Sequence, residues 1–563
     1  MPQVTIAAVQ FSSGNDTDRN LARMLELVDR ASDSGADLVV FQEFCNHPVA
    51  YDSQDHVWQS AISEDGWWVQ RLGAKAADRG VFISFNATTR GPWPSVHDQN
   101  YLLSDSGEVI LTSHKQILMG DEKTHFSPGR KLEGVVETRI GRIGLMSCME
   151  GLIPETPRVL GVRGADIILN SLSSNGLDEA HTHIPVRAAE NEVFVVSANR
   201  SGPLVDPVDV ERVAREIGFD PDTLLGGGES QVVDRDGESL VRAKAHVDDM
   251  VVTTVDLSVL RPDGYLSQRR PELYGVLVEP TELVEKRWQD RPQARPAVVA
   301  ATGLTATAAG EDVVEVALAW CRSTEADLMV LPELFSCRPA DLRPGTLNEA
   351  VASAARVVDQ LQDVARERGC HVVAGLPRRV TGGFANSAVL VGPDAEPIWY
   401  DQVHVHPDDA DWAVPGAEFV VADLPFGRVG LMLGQDMAFP ESARLLTLMG
   451  ADVVICPTTW RRPWEARLAA PERAAENHVT VVAAARADSP VAKPSTVLTF
   501  PAQYRFPETG EVNMPDRYDG EDLGGAVVVR IETSTSRDKL LMQMTSLVAD
   551  RQPDLYTALT EPV

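Results

Sequence analysis

GRIGLMSCMEGLIPETPRVLGVRGADIIL (residues 141–169) and GRVGLMLGQDMAFPESARLLTLMGADVVI (residues 427–455) are two versions of one segment, 286 residues apart. The same spacing relates RAAENEVFVVSANR (187–200) to RAAENHVTVVAAAR (473–486). Nearer the start, GADLVVFQEF (35–44) matches EADLMVLPELF (325–335) at a spacing of 290. That small change is the loop insertion or deletion that duplicated domains tolerate. Convergence over so many matched positions is implausible, so the chain reads as a tandem duplication.

Within each copy, strand and helix patterns alternate. Residues 3–11 read as a strand; Asn15, Asp16 or Thr17 then caps a helix whose apolar face includes Leu21, Met24, Leu25, Val28 and Ala31, with Gly35 after its end. ADLVVFQEF is a buried strand, a second helix follows around 66–80, and further strands are VFISFNATT, YLLSDSG, GRIGLMS, ADIILNS and EVFVVSANR. Strands covered by helices define an α/β fold class. EKRWQDRPQARPA (285–297) combines charge with two prolines, as linkers do. The expected division is a domain over 1–285, a linker over 286–296 and a second domain over 297–563.

Composition narrows the partners. The chain has 563 residues, enough for two large domains, with 44% hydrophobic and 24% charged residues. Lys plus Arg is 51 against 82 Asp plus Glu, a net charge of −31 that repels nucleic acid and anionic membrane surfaces. Cysteines 45, 148, 321, 337, 370 and 456 show no CxxC spacing, which suits reduced thiols and argues against a zinc site. MPQVTIAAVQF lacks a basic region and reads as a first strand, not a signal peptide, and no uncharged apolar stretch reaches about 20 residues. A cytoplasmic location is expected. Neither GxGxxG nor P-loop spacing occurs, and the glycines at 226–228 read as a turn entering a strand.

Three residues carry candidate chemistry in the first copy. Glu43 ends the apolar strand LVVFQEF, where partial desolvation would raise its pKa toward that of a general base. Cys148 follows the strand GRIGLMS just past a turn, where a thiol projects into a pocket with a backbone N–H behind it. Lys115 lies in HKQ, after a strand and turn. Taken singly, each has a structural reading: a strand-end Glu held by partners, an inert core Cys, a solvated Lys.

Glu, Lys and Cys in this order and these strand contexts resemble the nitrilase, or carbon–nitrogen hydrolase, superfamily. LVVFQEF, HKQ, GRIGLMSCMEGLIPE, RAAENEVFVVSANRSG, GGGESQVVDRDGE and RRPELY carry the resemblance over about residues 3–280, and it repeats in weaker form from about 297. The resemblance implies two tandem αββα sandwiches forming an intrachain pseudo-dimer. It implies Glu43 as general base, Cys148 as nucleophile, and Lys115 with the Met149 N–H as stabilisers of the tetrahedral intermediate. Glu122, in EKTHFSPG, matches the superfamily's second glutamate and would help hold the lysine and substrate; His125 is read as a surface or packing residue. Glu150 is the third expected substrate-side contact, with Glu122 and Met149. No metal or other cofactor is implied.

The second copy keeps the base as Glu333, but the lysine position is Gln402, the nucleophile position is Gly434, and Asp409 replaces Glu122. It is expected to be catalytically dead, serving as a built-in partner or binding a small ligand. A small amide or N-carbamoyl substrate, with water, is the first expectation and a nitrile the second, because Met149-Glu150 fits neither subgroup's pattern fully. A non-catalytic scaffold is the alternative from another class. The partners expected exclude nucleic acid and membrane, and homo-oligomerisation stays open. The segment 203–228 reads as an insertion with a short helix near the site.

Overall fold

The computed structural model describes all residues except 1–2, 133, 219, 259–263, 307–311, 339–340, 344, 502–510, 543 and 563. Side chains alternate across a strand, and this period sets the layers. On the strand Gln3–Gln10, Ala7 and Val9 pack with Leu21, Met24 and Val28 of the helix Thr17–Asp33. The intervening Ile6 and Ala8 face a second sheet, packing with Ile143, Leu145, Ile167 and Leu169. That sheet's outer side, through Met146, Ile168 and Val195, is covered by Leu160, Ile184 and Ala188 from two more helices. The order is helix, sheet, sheet, helix.

Local signals place the elements. Asp16 caps the first helix by accepting the backbone N–H groups of Asp18 and Arg19, leaving an apolar stripe at helical spacing. The first half holds two six-stranded sheets. One runs Asp249–Asp256, Gln3–Gln10, Leu38–Val40, Phe82–Arg90, Val96–Leu103, Val109–His114. The other runs Ser239–Arg242, Gln231–Val233, Phe194–Asn199, Ile167–Leu172, Gly141–Ser147, Val136–Thr138. The second half repeats the pair of six-stranded sheets, with Leu328–Val330 and Gly427–Leu431 in the places of Leu38–Val40 and Gly141–Ser147. Both expected sandwiches are present.

The halves meet reciprocally. Arg158 donates from Nε and Nη2 to Glu441 at 2.8 and 2.9 Å, and Arg444, its counterpart in the repeat, donates to Glu155 at 2.7 Å. Arg187 pairs with Glu476 at 2.8 Å, and Arg473 pairs with Glu190. Such self-complementary exchange is what a two-fold dimer interface shows, here within one chain. Burial pushes the Glu441 carboxyl up, but Arg158 and Arg269 outweigh it and hold it far below the usual carboxylate range. Truncating one partner of a buried pair strands the other charge. Arg158→Ala is therefore expected to lose about 3–5 kcal/mol of stability, read as a lower urea midpoint. An unchanged midpoint would show that the pair contributes nothing to holding the halves together.

The expected linker, 286–296, begins inside a helix. Residues 286–288 belong to the helix Thr281–Trp288, and the next strand starts at Pro296. Trp288 Nε1 donates to the Leu448 carbonyl at 3.1 Å and Arg291 reaches Asp452 at 3.3 Å, so the segment is docked on the second half. Charge and proline content signalled a break between sheets but not this docking. The segment 203–228 does carry a short helix, Val210–Ile217. The amides of Gly226, Gly227 and Gly228 donate to the carbonyls of Gly202, Ser174 and Arg200, which ties this stretch to distant segments of the first half.

Candidate active site

Three strand ends converge in the first half. Glu43 lies three residues past Leu38–Val40, with its N–H on the Leu172 carbonyl at 3.1 Å. Lys115 follows Val109–His114, its N–H donating to the Asp98 carbonyl at 2.9 Å. Cys148 follows Gly141–Ser147 and opens a 3-10 turn, Cys148–Gly151, at φ +42°. A non-glycine residue at positive φ is uncommon and costs strain, which the surrounding structure must sustain.

The Lys115 ammonium sits at the centre. It donates to Glu43 Oε1 and Glu122 Oε1, both at 2.8 Å, and lies 3.5 Å from Asp98 Oδ2. Glu43, Asp98 and Glu122 place carboxyl oxygens within 4.8 Å of one another, the spacing of a cation site. The cation there is the ammonium. Burial pulls the Lys115 pKa down, but Glu122, Glu43, Cys148 and Asp98 outweigh this and raise it well above the usual lysine value. Burial raises Glu43 well above the usual carboxylate range against the pull of Lys115, and Asp98 and Glu122 add to the rise. Burial also raises the Cys148 thiol well above its usual value; Glu43 adds to this and Lys115 opposes it. A thiol of raised pKa therefore sits with a base of raised proton affinity and a fixed cation beside it.

The neighbours have separate tasks. Glu122 uses its second oxygen to accept the Met119 N–H at 2.8 Å, tying the 115–122 loop to the ammonium. Glu150 takes a different place from the substrate contact expected of it. It is fully buried, and its oxygens accept the backbone N–H groups of Gln116 at 2.9 Å and Ser147 at 2.8 Å. It clamps the Cys148 turn to the Lys115 strand. The Met149 side chain is buried among Ile117, Leu152, Ile153, Val512, Leu541 and Leu547. His125 is half-buried, its ring edge-on to Tyr51 at 6.0 Å.

Two carboxyls escaped the sequence reading. Asp98 accepts from Asn86, whose own Oδ1 takes the Phe44 N–H at 2.9 Å, next to Glu43. Its signal was a charge in the middle of the strand Val96–Leu103. Glu179 is buried, and burial lifts its pKa to about 7. The repeat itself marks Glu179, because Glu465 holds the matching position, likewise buried and at about 7.

In the second half Asn386 donates to Glu333 Oε1 at 2.7 Å and Gln402 donates to the Leu433 carbonyl at 2.8 Å. Gly434 keeps the turn's positive φ, at +50°. A Cβ there would stand 2.5 Å from Glu333 Oε1 and 2.9 Å from Gln402 Nε2. Glu333 and Gln402 thus occupy the space beside Gly434. A cavity of about 260 Å³ opens nearby, lined in part by Leu334, Asp409, Trp412 and Arg461.

The carbon–nitrogen hydrolase profile matches residues 5–265 and again 297–505. The chain belongs to the carbon–nitrogen hydrolase family. A nitrilase of Pyrococcus abyssi is 32% identical over 237 residues, covering 41% of this chain and 86% of that protein. An (R)-stereoselective amidase of Pseudomonas sp. is 31% identical over 273 residues, covering 47% and 90%. N-carbamoylputrescine amidase of Solanum lycopersicum is 25% identical over 295 residues, covering 49% and 95%. A solved amidase from Nesterenkonia sp. is 25% identical, with a TM-score of 0.39 over 48% of this chain and 94% of that one. Each match has the length of about one half of this tandem hydrolase. Among its described residues, no helix is long and apolar enough to cross a membrane.

Proposed function

We propose that the first half hydrolyses the carbon–nitrogen bond of a small amide or N-carbamoyl compound through a thioester on Cys148, and that the second half has no turnover of its own. The observation that carries this reading is the buried Lys115 ammonium, 2.8 Å from both Glu43 and Glu122, beside a thiol on a strained strand-end turn. Glu43 takes the Sγ proton as sulfur attacks the carbonyl carbon. The negative charge moves to the carbonyl oxygen, where the ammonium and the Met149 N–H stabilise it out of water. Collapse breaks the carbon–nitrogen bond, and the amine or ammonia leaves with the proton that Glu43 returns. Water then attacks the thioester, Glu43 takes its proton, and the thiol is re-formed as the acid departs. A raised Glu43 pKa suits both steps, because it brings the base closer to the thiol in proton affinity.

The amide and N-carbamoyl amidase relatives support this substrate class. The 32% identical nitrilase relative favours a second reading, attack on a nitrile through a thioimidate. The inactive second half rests on Gln402 and Gly434, which supply neither cation nor nucleophile. A panel of small amides, N-carbamoyl compounds and nitriles, read by ammonia or acid release and by intact mass, tests the proposal. Release from amides or N-carbamoyl compounds, with an acyl adduct on the Cys148 peptide, is expected. Neither product nor adduct from any class would refute an enzymatic role.

A further inference from the structure

The second half reaches into the first half's site through a segment beyond the family match. Beyond the matched 297–505 region, the strands Leu540–Met542 and Thr545–Ser546 pair in a small two-stranded sheet, and residues 547–552 follow it. This segment lies against the loop that carries Lys115 at one end and Glu122 at the other. Thr545 Oγ1 accepts the Gly120 N–H at 2.7 Å, across 425 residues of chain. Gln552 Nε2 donates to the Gln116 carbonyl at 2.6 Å, across 436 residues. Lys123 binds Asp550 at 2.5 Å and the Met544 carbonyl. Apolar contact continues the seam, since Val512, Leu541 and Leu547 pack with Ile117, two residues past Lys115, and Met149, next to Cys148.

The pattern is that of a splint. Gly120 is next to Met119, whose N–H is held by Glu122, and Gln116 is next to Lys115. A cavity of about 300 Å³, lined in part by Gln116, Lys123, Asp550 and Gln552, separates part of the loop from the segment, and the polar bonds span the seam beside it. We infer that Thr545 and Gln552 of the second half are positioning residues for the Lys115–Glu122 pair of the first, so that the half without a nucleophile holds the active one in register. This rests on the proposed role of Lys115 and gives the second copy a task that needs no ligand.

The test uses the full chain with Thr545→Val, which keeps the shape and removes the acceptor, Thr545→Ser, which restores it, and Gln552→Met. With Thr545→Val, kcat on the best substrate of the panel is expected to fall about tenfold or more with KM changed less than about twofold, because misplacing a group by about 1 Å is enough for such losses. Iodoacetamide labelling of Cys148, followed against pH by mass spectrometry, is expected to shift to higher pH as the cation moves away from the thiol. Thr545→Ser should recover both readouts, and Gln552→Met should resemble Thr545→Val. A Thr545→Val protein with wild-type kcat and labelling profile would overturn the inference. So would equal losses in the Val and Ser variants, which would indicate packing alone. If the wild type turned over nothing, the substrate reading would fail, and the labelling profiles would still decide this one.

Discussion

Cys148→Ala is expected to lower turnover by about 10⁴–10⁶-fold and to abolish the acyl adduct, since removing a nucleophile costs on that order. The size follows from what remains. Glu43 and Lys115 keep their positions in this variant, as their bond to each other does not involve sulfur. Water would have to attack without the covalent intermediate that divides the reaction into two easier steps. On the proposed reading the second half offers no reserve, because Gly434 has no side chain to act as a nucleophile. A Cys148→Ala protein with turnover comparable to wild type would refute both the assignment of the nucleophile and the silence of the second half.

Lys115→Met removes the cation while keeping most of the volume, and its consequences extend to folding. Glu43, Asp98 and Glu122 would then face one another in a buried pocket without the ammonium. Near neutral pH the loss of stability is expected to reach about 3–5 kcal/mol, the usual cost of stranding buried charge. Its pH dependence has a definite sign. Burial already raises the folded pKa of Glu43 and Glu122, while Lys115 lowers both. Without Lys115 they rise further. A carboxyl whose folded pKa is raised favours the folded state while protonated, and that contribution is lost as pH climbs through the folded value. The variant should therefore melt at progressively lower temperature as pH rises above about 4.3, the ordinary glutamate value, and more steeply than wild type. Thermal melts across pH measure this. A variant whose melting temperature rises with pH over the same range would contradict the arrangement. Turnover should fall by at least about 10²–10³-fold, the range seen when one oxyanion donor is lost.

The duplication and the α/β class were legible because each is written locally, and so were the candidates Glu43, Lys115 and Glu122, which the fold gathers into one hydrogen-bonded cluster beside Cys148. A buried strand shows as an apolar run, a strand end shows as the polar residue that interrupts it, and a repeat displays which positions its second copy has changed. Glu150, expected among the substrate-side contacts, shows what a local reading leaves out. In space its carboxylate turns back to two backbone amides. Asp98 was hidden because one charged residue in a strand does not reveal which face it lies on or which ammonium it meets.

By itself the sequence determined two hydrolase-type sandwiches, one with a complete Glu–Lys–Cys set and one without. Tertiary structure alone decided how those halves serve each other. The reciprocal Arg158–Glu441 and Arg444–Glu155 pairs, the carboxyl ring around Lys115 and the reach of Thr545 and Gln552 join residues from 7 to 436 positions apart. Pairings across such distances leave no periodicity in the chain. They exist because burial makes an unpaired charge or amide costly, and folding brings partners close enough to meet that demand.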